Sequence, residues 1–331
     1  MKQTLTAIVA TSLLVSGLAR ADFPEKDIQG VIQWGAGGST DTVMRSVTPL
    51  AEQELGEDII MTNKSGGVGA IATKYVNAAK GDGYTLLMGA ENPQMYKVLG
   101  LADVDYGDME PVVLLARGLS IIVADKDEPY NTVEEFIAYA KANPGKVRVG
   151  TNGPSSLPFM LLAILRTAES FDVTEVPYDG EGPGLTALQS GAIDVMPTSL
   201  GAASDFLKSG KMKVIGLIDK KPNPLLPGVA PVTDTYPQLA SMLPYGSFFG
   251  IFVKKGTPDE ALDKLSNAYL IAAGSDKFHS LMDNLGYEVM GINGQDAKAF
   301  LSNFQSVASW LVHDTGFSKT SPDTLGIARP E

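Results

Sequence analysis

A glycine-rich segment between Val31 and Asp41 restricts how this chain can fold. Its sequence, Val-Ile-Gln-Trp-Gly-Ala-Gly-Gly-Ser-Thr-Asp, predicts a strand that ends at Trp34, a turn over residues 35–38 and a helix that begins at Ser39. The first N–H groups of a helix lack intrahelical partners and lie at the positive end of its dipole. Glycine lets such a backbone approach a ligand closely. The segment is therefore either a simple turn or a binding site for a carboxylate or a phosphate.

A second junction of the same kind follows later in the chain. A predicted strand over residues 146–150 leads into the polar turn Thr151-Asn-Gly-Pro-Ser-Ser156 and then into a predicted helix over residues 157–167. Pro158 suits the first turn of that helix, where its missing N–H is not needed. Two facing helix N-termini can clamp one carboxylate, so the pair of junctions favours an anion site over two unrelated turns.

Apolar strands alternate with helical patterns along nearly the whole chain, which predicts an α/β fold with largely parallel sheets. We predict two lobes, one formed by residues 22–121 with 248–331 and the other by residues 122–247. The strand Phe248–Lys254 would return the chain to the first lobe. Ligands of open α/β sheets bind beyond the carboxyl ends of the strands, and a cleft between lobes is a preferred site for small molecules.

The first 21 residues have the pattern of a cleavable export signal. Lys2 precedes an apolar run over residues 5–18, and Ala19-Arg-Ala21 fits a small-residue cleavage site. We expect cleavage after Ala21 and a periplasmic location. The sequence contains no cysteine, which excludes disulfides, thiolate metal sites and cysteine nucleophiles within it.

The charge balance argues against nucleic acid and anionic membranes as partners. The formal net charge is −12, and loss of the signal segment, with Lys2 and Arg20, makes it −14. Such an acidic chain is a poor match for polyphosphate or for an anionic lipid surface. A small anion can still bind, because helix termini act locally and exposed charges are screened beyond about 8–10 Å.

Catalytic and cofactor motifs are scarce. The two histidines, His279 and His313, lie in predicted C-terminal helices far in sequence from both glycine junctions. No P-loop, zincin or nucleophile-elbow pattern occurs. The run Gly67-Val-Gly-Ala-Ile-Ala72, with Glu91 downstream, resembles a dinucleotide fingerprint, but residues 63–65 separate it from the preceding strand. We expect a non-enzymatic protein without metal or cofactor. An exported α/β enzyme and a sensor that signals to a membrane kinase remain alternatives.

Six motifs occur in the order typical of one protein family. They are residues 34–41 with Arg45 four residues on, Asn63-Lys-Ser-Gly-Gly-Val-Gly69, Gly81-Asp-Gly-Tyr-Thr-Leu86, Gly150-Thr-Asn-Gly-Pro-Ser-Ser156, Val176-Pro-Tyr-Asp-Gly-Glu-Gly-Pro183 followed by Gly191-Ala-Ile-Asp194, and Phe249-Gly-Ile-Phe-Val-Lys-Lys-Gly-Thr-Pro258. Together they resemble the periplasmic solute-binding component of tripartite tricarboxylate transporters, the TctC or Bug family. The resemblance covers essentially the whole mature chain.

The resemblance implies a two-lobe fold of the periplasmic binding protein type II kind, with the ligand cleft between the lobes. It implies capture of a small carboxylate, such as a di- or tricarboxylate, an amino acid or an aromatic acid. It also implies delivery of that ligand to integral-membrane permease subunits (TctA/TctB-like). We expect the binding protein to be a monomer.

The ligand-binding residues that the resemblance implies lie in two loops. They are Gly37, Gly38, Ser39, Thr40 and Asp41 in the first loop, and Thr151, Asn152, Ser155 and Ser156 in the second. Ala90 and Asn92 end a predicted strand of the first lobe and are added as residues facing the cleft. Glu91, between them, is expected to face the cleft too and would disfavour a second carboxylate nearby. Asp179 stands where the family commonly has Lys. Trp34 replaces a Phe, and it either shapes the pocket or packs as an ordinary aromatic at the end of a strand. Asp41 is expected to support the loop by pairing with Arg45.

Overall fold

The computed structural model describes residues 22–151, 156–178 and 181–330. The predicted signal segment and the site candidates Asn152, Ser155 and Asp179 lie outside the described residues. Within those ranges the strands are β1 (Ile28–Ile32), β2 (Ile59–Asn63), β3 (Thr85–Ala90), β4 (Met109–Gly118), β5 (Ser120–Asp125), β6 (Arg148–Thr151), β7 (Thr174–Pro177), β8 (Val195–Ser199), β9 (Met212–Leu217), β10 (Phe248–Lys254) and β11 (Tyr287–Ile292). The α-helices described are α1 (Ser39–Leu55), α2 (Ala70–Ala78), α3 (Tyr96–Leu99), α4 (Val133–Ala142), α5 (Leu157–Ala168), α6 (Glu181–Gln189), α7 (Leu200–Lys208), α8 (Asp259–Ala273), α9 (Asp276–Leu285) and α10 (Gly294–Asp314).

The strands form two sheets, which confirms a mixed α/β fold. The first sheet has the order β11-β4-β10-β3-β1-β2, and the second has the order β7-β6-β8-β5-β9. β1 pairs in parallel with β2 and β3, and β6 pairs in parallel with β7 and β8. The remaining neighbours, on the other side of each sheet, are antiparallel.

The prediction of largely parallel sheets is therefore wrong. The chain passes from the first sheet into β5 of the second sheet, and later returns from the second sheet into β10 of the first. Both strands therefore begin at the boundary between the sheets and run away from it. β3 and β8 run towards it, so Phe249 pairs with Ala90 and Ser120 pairs with Ser199 in antiparallel register. The strands that enter each sheet from the other sheet thus pair in antiparallel fashion with β3 and β8, whereas the βα repeats before them pair in parallel.

The two chain segments that connect the sheets lie in contact. The chain leaves the first sheet at Gly118 and re-enters it at Phe248, and Gly118 N–H donates to the carbonyl oxygen of Ser247 at 2.7 Å. A Cβ atom on Gly246 would lie 2.7 Å from the Gly118 carbonyl oxygen, so glycine permits this close approach. Lobe boundaries near these points stay a prediction.

Apolar packing holds the helices against the sheets. In α1 the side chains of Val43, Met44 and Val47 are fully buried against the first sheet and α8. Burial of a side chain of this size contributes about 1.5–3 kcal/mol. The C-terminal helix α10 contacts both β4 and α5, so it spans the two halves of the fold. No helix in the described ranges combines the length and the apolar character that a bilayer crossing requires.

Candidate ligand-binding site

A cavity of about 600 Å³ opens between the ends of the two sheets, a size usual for small-molecule sites. Its walls come from the β1–α1 loop, the end of β3 and the start of β10 on one side. The start of α5, the start of α6 and the end of β8 form the other side. The lining residues are Trp34, Gly35, Ala36, Gly38, Ser39, Thr40, Ala90, Glu91, Asn92, Leu157, Pro158, Glu181, Ser199, Ser247 and Phe249.

The N-terminus of α1 forms part of the cavity wall. Gly38 is the N-cap, with φ −79° and ψ 172°, and Ser39 and Thr40 are the first two helical residues. The opening N–H groups of the helix have no intrahelical acceptors and lie at the positive end of its dipole. Ser39 is exposed, whereas the Thr40 side chain is buried. This wall therefore presents backbone N–H groups and hydroxyls, which suit an anionic group.

Asp41 supports the loop from behind the cavity. Its Oδ2 accepts from Gly37 N–H at 2.9 Å, and its Oδ1 accepts from Arg45 Nε and Asn63 Nδ2, each at 2.8 Å. The expected pairing of Asp41 with Arg45 is thus confirmed. Burial acts to raise the pKa of Asp41, but the hydrogen bonds from Gly37, Asn63 and Arg45 outweigh it and hold the pKa below its usual value.

The structure brings six of the sequence-predicted site residues together at the cavity, namely Trp34, Gly38, Ser39, Thr40, Ala90 and Asn92. Asp41 does not line it. Gly37 does not line the cavity either, and its N–H donates to Asp41, so its role as a ligand-binding residue stays a prediction. Thr151 is buried at the end of β6, and Ser156 accepts from Phe159 N–H at 3.4 Å as the N-cap of α5. Leu157 and Pro158, just beyond Ser156, line the cavity instead.

The buried side chain of Gln33 fixes the end of β3 beside the loop. Gln33 Oε1 accepts from Ala90 N–H at 3.0 Å, and Gln33 Nε2 donates to Tyr96 Oη at 2.9 Å. The Tyr96 hydroxyl in turn donates to the carbonyl oxygen of Val68 at 2.6 Å. A Cβ atom on Gly69 would lie 2.0 Å from Gln33 Nε2, so the turn can pack against Gln33 only with glycine there.

Sequence reasoning did not select four of the lining residues that carry polar or aromatic groups. These are Glu181, Ser199, Ser247 and Phe249. Glu91 lines the cavity beside Asn92, as its place at the end of the predicted strand indicates. Ser199 had a detectable signal, since a strand runs into it and a helix follows, as in the glycine junctions. Glu181 had none, because its place depends on bonds to the end of β8: its Oε1 accepts from Thr198 Oγ1 at 2.6 Å and from Ser199 N–H at 2.7 Å.

The charged groups of the cavity wall are acidic. Within the described ranges, Glu91 and Glu181 line the cavity and no lysine, arginine or histidine does. Burial raises the pKa of Glu91 to about 7, and the negative charge of Glu181 adds to the shift, while the N–H groups of Glu91 and Phe248 oppose it. No cluster of three or more histidine or carboxylate side chains suited to a metal ion occurs in the described part of the chain.

Comparison with known proteins identifies the family. The profile of the tripartite tricarboxylate transporter family receptor, TctC, matches residues 43–316. This chain belongs to the TctC receptor family. Its two-sheet fold with a cleft is the periplasmic solute-binding fold, and a TctC solute-binding protein from Polaromonas shares it with a TM-score of 0.78 and 24% identity, over 88% of this chain and 99% of that one.

Two further solved structures similar to this chain contain dicarboxylates. An R. palustris protein solved with adipate is 25% identical with a TM-score of 0.74, over 93% of this chain and 100% of that one. MatC of Rhodopseudomonas palustris, solved with bound malate, is 27% identical with a TM-score of 0.69, over 86% of this chain and 100% of that one. The TctC protein described here is thus a periplasmic solute-binding protein, and its family works with membrane permease subunits.

Proposed function

We propose that this TctC protein binds a small solute with at least one carboxylate in the cavity between its sheets. It would do so as a monomer, after export and cleavage behind Ala21, and would pass the solute to tripartite tricarboxylate permease subunits (TctA/TctB-like). One observation carries the proposal: the N-terminus of α1 opens into the cavity with Ser39 and Thr40 on its wall. The adipate and malate in two similar proteins support the same ligand class.

The proposed contacts are made by the backbone and hydroxyl donors of the first loop. We assign them to Gly38, Ser39 and Thr40, with Asn92 as a further amide donor. Asp41 would act as the support of the loop. Trp34 and Phe249 would cover the apolar part of the ligand, because both line the cavity. Binding in this arrangement requires no covalent step, and closure of the lobes around the ligand would produce the bound state.

Two substitutions at Ser39 test the helix-terminus site by calorimetric titration with malate, adipate and amino acids. Ser39→Ala removes the hydroxyl, and Ser39→Pro also removes the N–H. Proline is tolerated at the first helical position, and the extended backbone of Gly38 suits the residue before a proline. Since a hydrogen bond to a charged group contributes about 1.5–3 kcal/mol, Ser39→Pro should lower carboxylate affinity by about ten-fold or more beyond Ser39→Ala.

Asp276→Pro is the matched control, because Asp276 is the exposed first residue of α9 and follows Ser275 in an extended conformation. It should leave affinity unchanged. Equal affinity of Ser39→Pro and the wild type would overturn the assignment of the α1 N-terminus. Absence of binding to every carboxylate in the panel would overturn the proposed ligand class. Delivery is tested separately, as loss of labelled-ligand uptake when the gene is deleted from cells that keep the permease.

A further inference from the structure

Two glutamates line the cavity from opposite sides. Glu91 follows β3 of the first sheet, and Glu181 begins α6, which packs on the second sheet. Among the described lining residues no cationic side chain balances them. The segments 152–155 and 179–180, outside the described residues, contain no lysine, arginine or histidine either. The cavity therefore combines an anion-binding helix terminus with two carboxylates that have no cation beside them.

The carboxylate of Glu181 is held in a fixed position. Its Oε1 accepts from the Thr198 hydroxyl and from Ser199 N–H, and its Oε2 accepts from the Ser199 hydroxyl at 3.4 Å. An ionised carboxylate is an acceptor on both oxygens, so these three donors suit it. Glu181 thus presents a carboxylate to the cavity at a place that the end of β8 determines.

Glu91 differs from Glu181 because one of its two carboxylate oxygens lacks a donor. Its Oε2 atom is buried and has no hydrogen-bond partner among the described residues. A buried carboxylate oxygen without a partner is costly, and most such oxygens in folded proteins are satisfied by protein, water or ligand. Glu91 itself lines the cavity, and a ligand N–H donor that reaches Oε2 from the cavity would remove this cost.

The aromatic and electrostatic surroundings favour the same kind of ligand group. Trp34 and Phe249 also line the cavity, and aromatic faces attract a nearby cation. A second carboxylate on the ligand would instead be repelled by the negative charge of Glu91 and Glu181. The cavity therefore discriminates against a dicarboxylate at the end that faces these glutamates.

We infer that the ligand of this TctC protein carries a cationic nitrogen with an N–H donor as well as its carboxylate, and that this nitrogen lies between Glu91 and Glu181. The inference rests on the proposed function for the position of the carboxylate at α1. The ligand class is therefore an aminocarboxylate, in which the negative end contacts the helix terminus and the positive end contacts the two glutamates.

The pH dependence of binding has a defined sign. Glu181 raises the pKa of Glu91 by its charge, and the charge of Glu91 in turn acts on Tyr96, Tyr106 and Tyr245. Burial raises the pKa of each of these tyrosines, so their phenols stay neutral near pH 7. Burial places the pKa of Glu91 near 7 in the free protein. A bound ammonium lowers that pKa, so binding releases protons and strengthens as the pH rises through 7. A bound dicarboxylate would do the opposite.

Matched ligands of equal length test the inference. Adipate, ε-aminohexanoate, hexanoate and hexamethylenediamine are titrated calorimetrically, together with the set that is one methylene shorter, at pH values one unit below and one unit above 7. We expect the aminocarboxylate to bind at least ten-fold tighter than the matching dicarboxylate, with proton release. Glu91→Gln should reduce this preference at least ten-fold, and the exposed α1 variant Glu54→Gln should retain it.

The outcomes separate this inference from the proposed function. The place between Glu91 and Glu181 that is proposed to hold the cationic nitrogen is called the cationic subsite. Tighter binding of the dicarboxylate, or proton uptake on binding, would overturn this subsite and leave the carboxylate site at α1 in place. Binding of the diamine with no binding of any carboxylate would uphold the cationic subsite and overturn the proposed function. A preference that Glu91→Gln leaves unchanged would also overturn the subsite. Glu181→Gln provides a second variant, since a glutamine oxygen can still accept from Thr198 and Ser199.

Discussion

Asp41 connects three parts of the first lobe at one carboxylate. Its oxygens accept from Gly37 in the glycine turn, from Arg45 one turn along α1, and from Asn63 at the end of β2. Asn63 also donates to the carbonyl oxygen of Trp34 at 2.9 Å. Gly37 has φ 78°, a conformation that glycine adopts without strain. Loop shape therefore depends on one buried charge that does not line the cavity.

Replacement of Asp41 by alanine should weaken ligand binding without removal of a ligand contact. We expect about ten-fold lower affinity for the best carboxylate of the panel, and a loss of about 1–3 kcal/mol in the free energy of unfolding, because buried hydrogen bonds to a charged group are lost. Calorimetry and urea unfolding measure the two effects. The exposed α8 residue Asp263 supplies the control, Asp263→Ala, which should change neither. Unchanged affinity in Asp41→Ala would refute the supporting role.

Glu91 should make the stability of the ligand-free protein depend on pH. Its pKa is about 7 in the folded state against 4.5 for the unperturbed group. The folded state therefore holds the proton more tightly, and the stability present below pH 4.5 is lost as the pH rises through 7. At one pKa unit per 1.36 kcal/mol, the full loss is about 3 kcal/mol.

Glu91→Gln removes the titrating group, so its stability advantage over the wild type should grow between pH 5 and pH 8 towards about 3 kcal/mol. Urea unfolding at several pH values measures the difference. Glu54→Gln removes an exposed carboxylate and should show a constant difference. A constant difference for Glu91→Gln as well would show that Glu91 is ionised and solvated in the free protein. A gain in stability with a loss of aminocarboxylate affinity is the expected trade-off for a binding residue.

At the scale of elements, strong local signals made α1 and β10 predictable. β10 has the predicted bounds, Phe248–Lys254, because a run of large apolar residues broken only by Gly250 lies between Ser247 and the pair of lysines that precedes Gly256. α1 begins at Ser39 as the glycine turn predicts. β11 was not predicted, because most of its residues are only partly buried and its partner β4 lies far away in the sequence. Pairing at the edge of a sheet is a tertiary effect that local pattern does not encode.

The difference between local sequence signals and tertiary arrangement also explains which part of the binding site could be predicted. Trp34, Ser39 and Thr40 belong to one glycine junction, so a single local pattern indicates all of them. Glu91 follows a predicted strand next to Asn92, so its place in the cleft was also accessible from the sequence. Glu181 meets the cavity only because two sheets place β3 and α6 on facing walls, and the sequence pattern did not contain that relative position.

The turn at Val68 depends on a buried tyrosine of the short helix α3. Val68 has φ 56°, an unfavourable conformation for a β-branched residue. Its carbonyl oxygen accepts from Tyr96, which also accepts from Gln33. Tyr96→Phe would remove the acceptor of the buried Gln33 amide and the donor to the partly buried carbonyl oxygen of Val68, so we expect a loss of about 1–3 kcal/mol in the free energy of unfolding.

The control for Tyr96→Phe is Tyr75→Phe, which removes a hydroxyl that donates to Gln29 on the surface. Exposed substitutions usually change stability by less than about 0.5 kcal/mol. Val68→Gly in the Tyr96→Phe background should recover part of the loss, because glycine tolerates the positive φ. Equal stability of the two tyrosine variants in urea unfolding would contradict the role of Tyr96.

At the scale of the whole molecule, an ionic group lies near the two chain crossings that, together with α10, join the halves around the two sheets. Arg117, at the end of β4, donates to Asp219, just after β9 of the other sheet, at 2.7 Å and to Glu288 of β11 at 2.5 Å. Arg117 and Asp219 have side chains that are only 13% and 10% exposed. A pair this protected, placed beside the crossing at Gly118, resists separation of the two halves.

A double-mutant cycle measures how strongly this ion pair couples the halves. Arg117→Met leaves the carboxylate of Asp219 buried without its cation, so we expect it to cost about 3–5 kcal/mol of unfolding free energy, and Asp219→Asn to cost less because Glu288 still pairs with Arg117. The two effects should fall short of additivity by at least about 1 kcal/mol. The exposed pair Lys208–Asp205 on α7 serves as the control, with a coupling below about 0.5 kcal/mol.

Additive effects at Arg117 and Asp219 would mean that chain crossings and the α10 contacts alone hold the sheets together. If the two substitutions are coupled and Arg117→Met unfolds in two separate urea transitions, the ion pair makes the two halves of the wild type unfold as one unit.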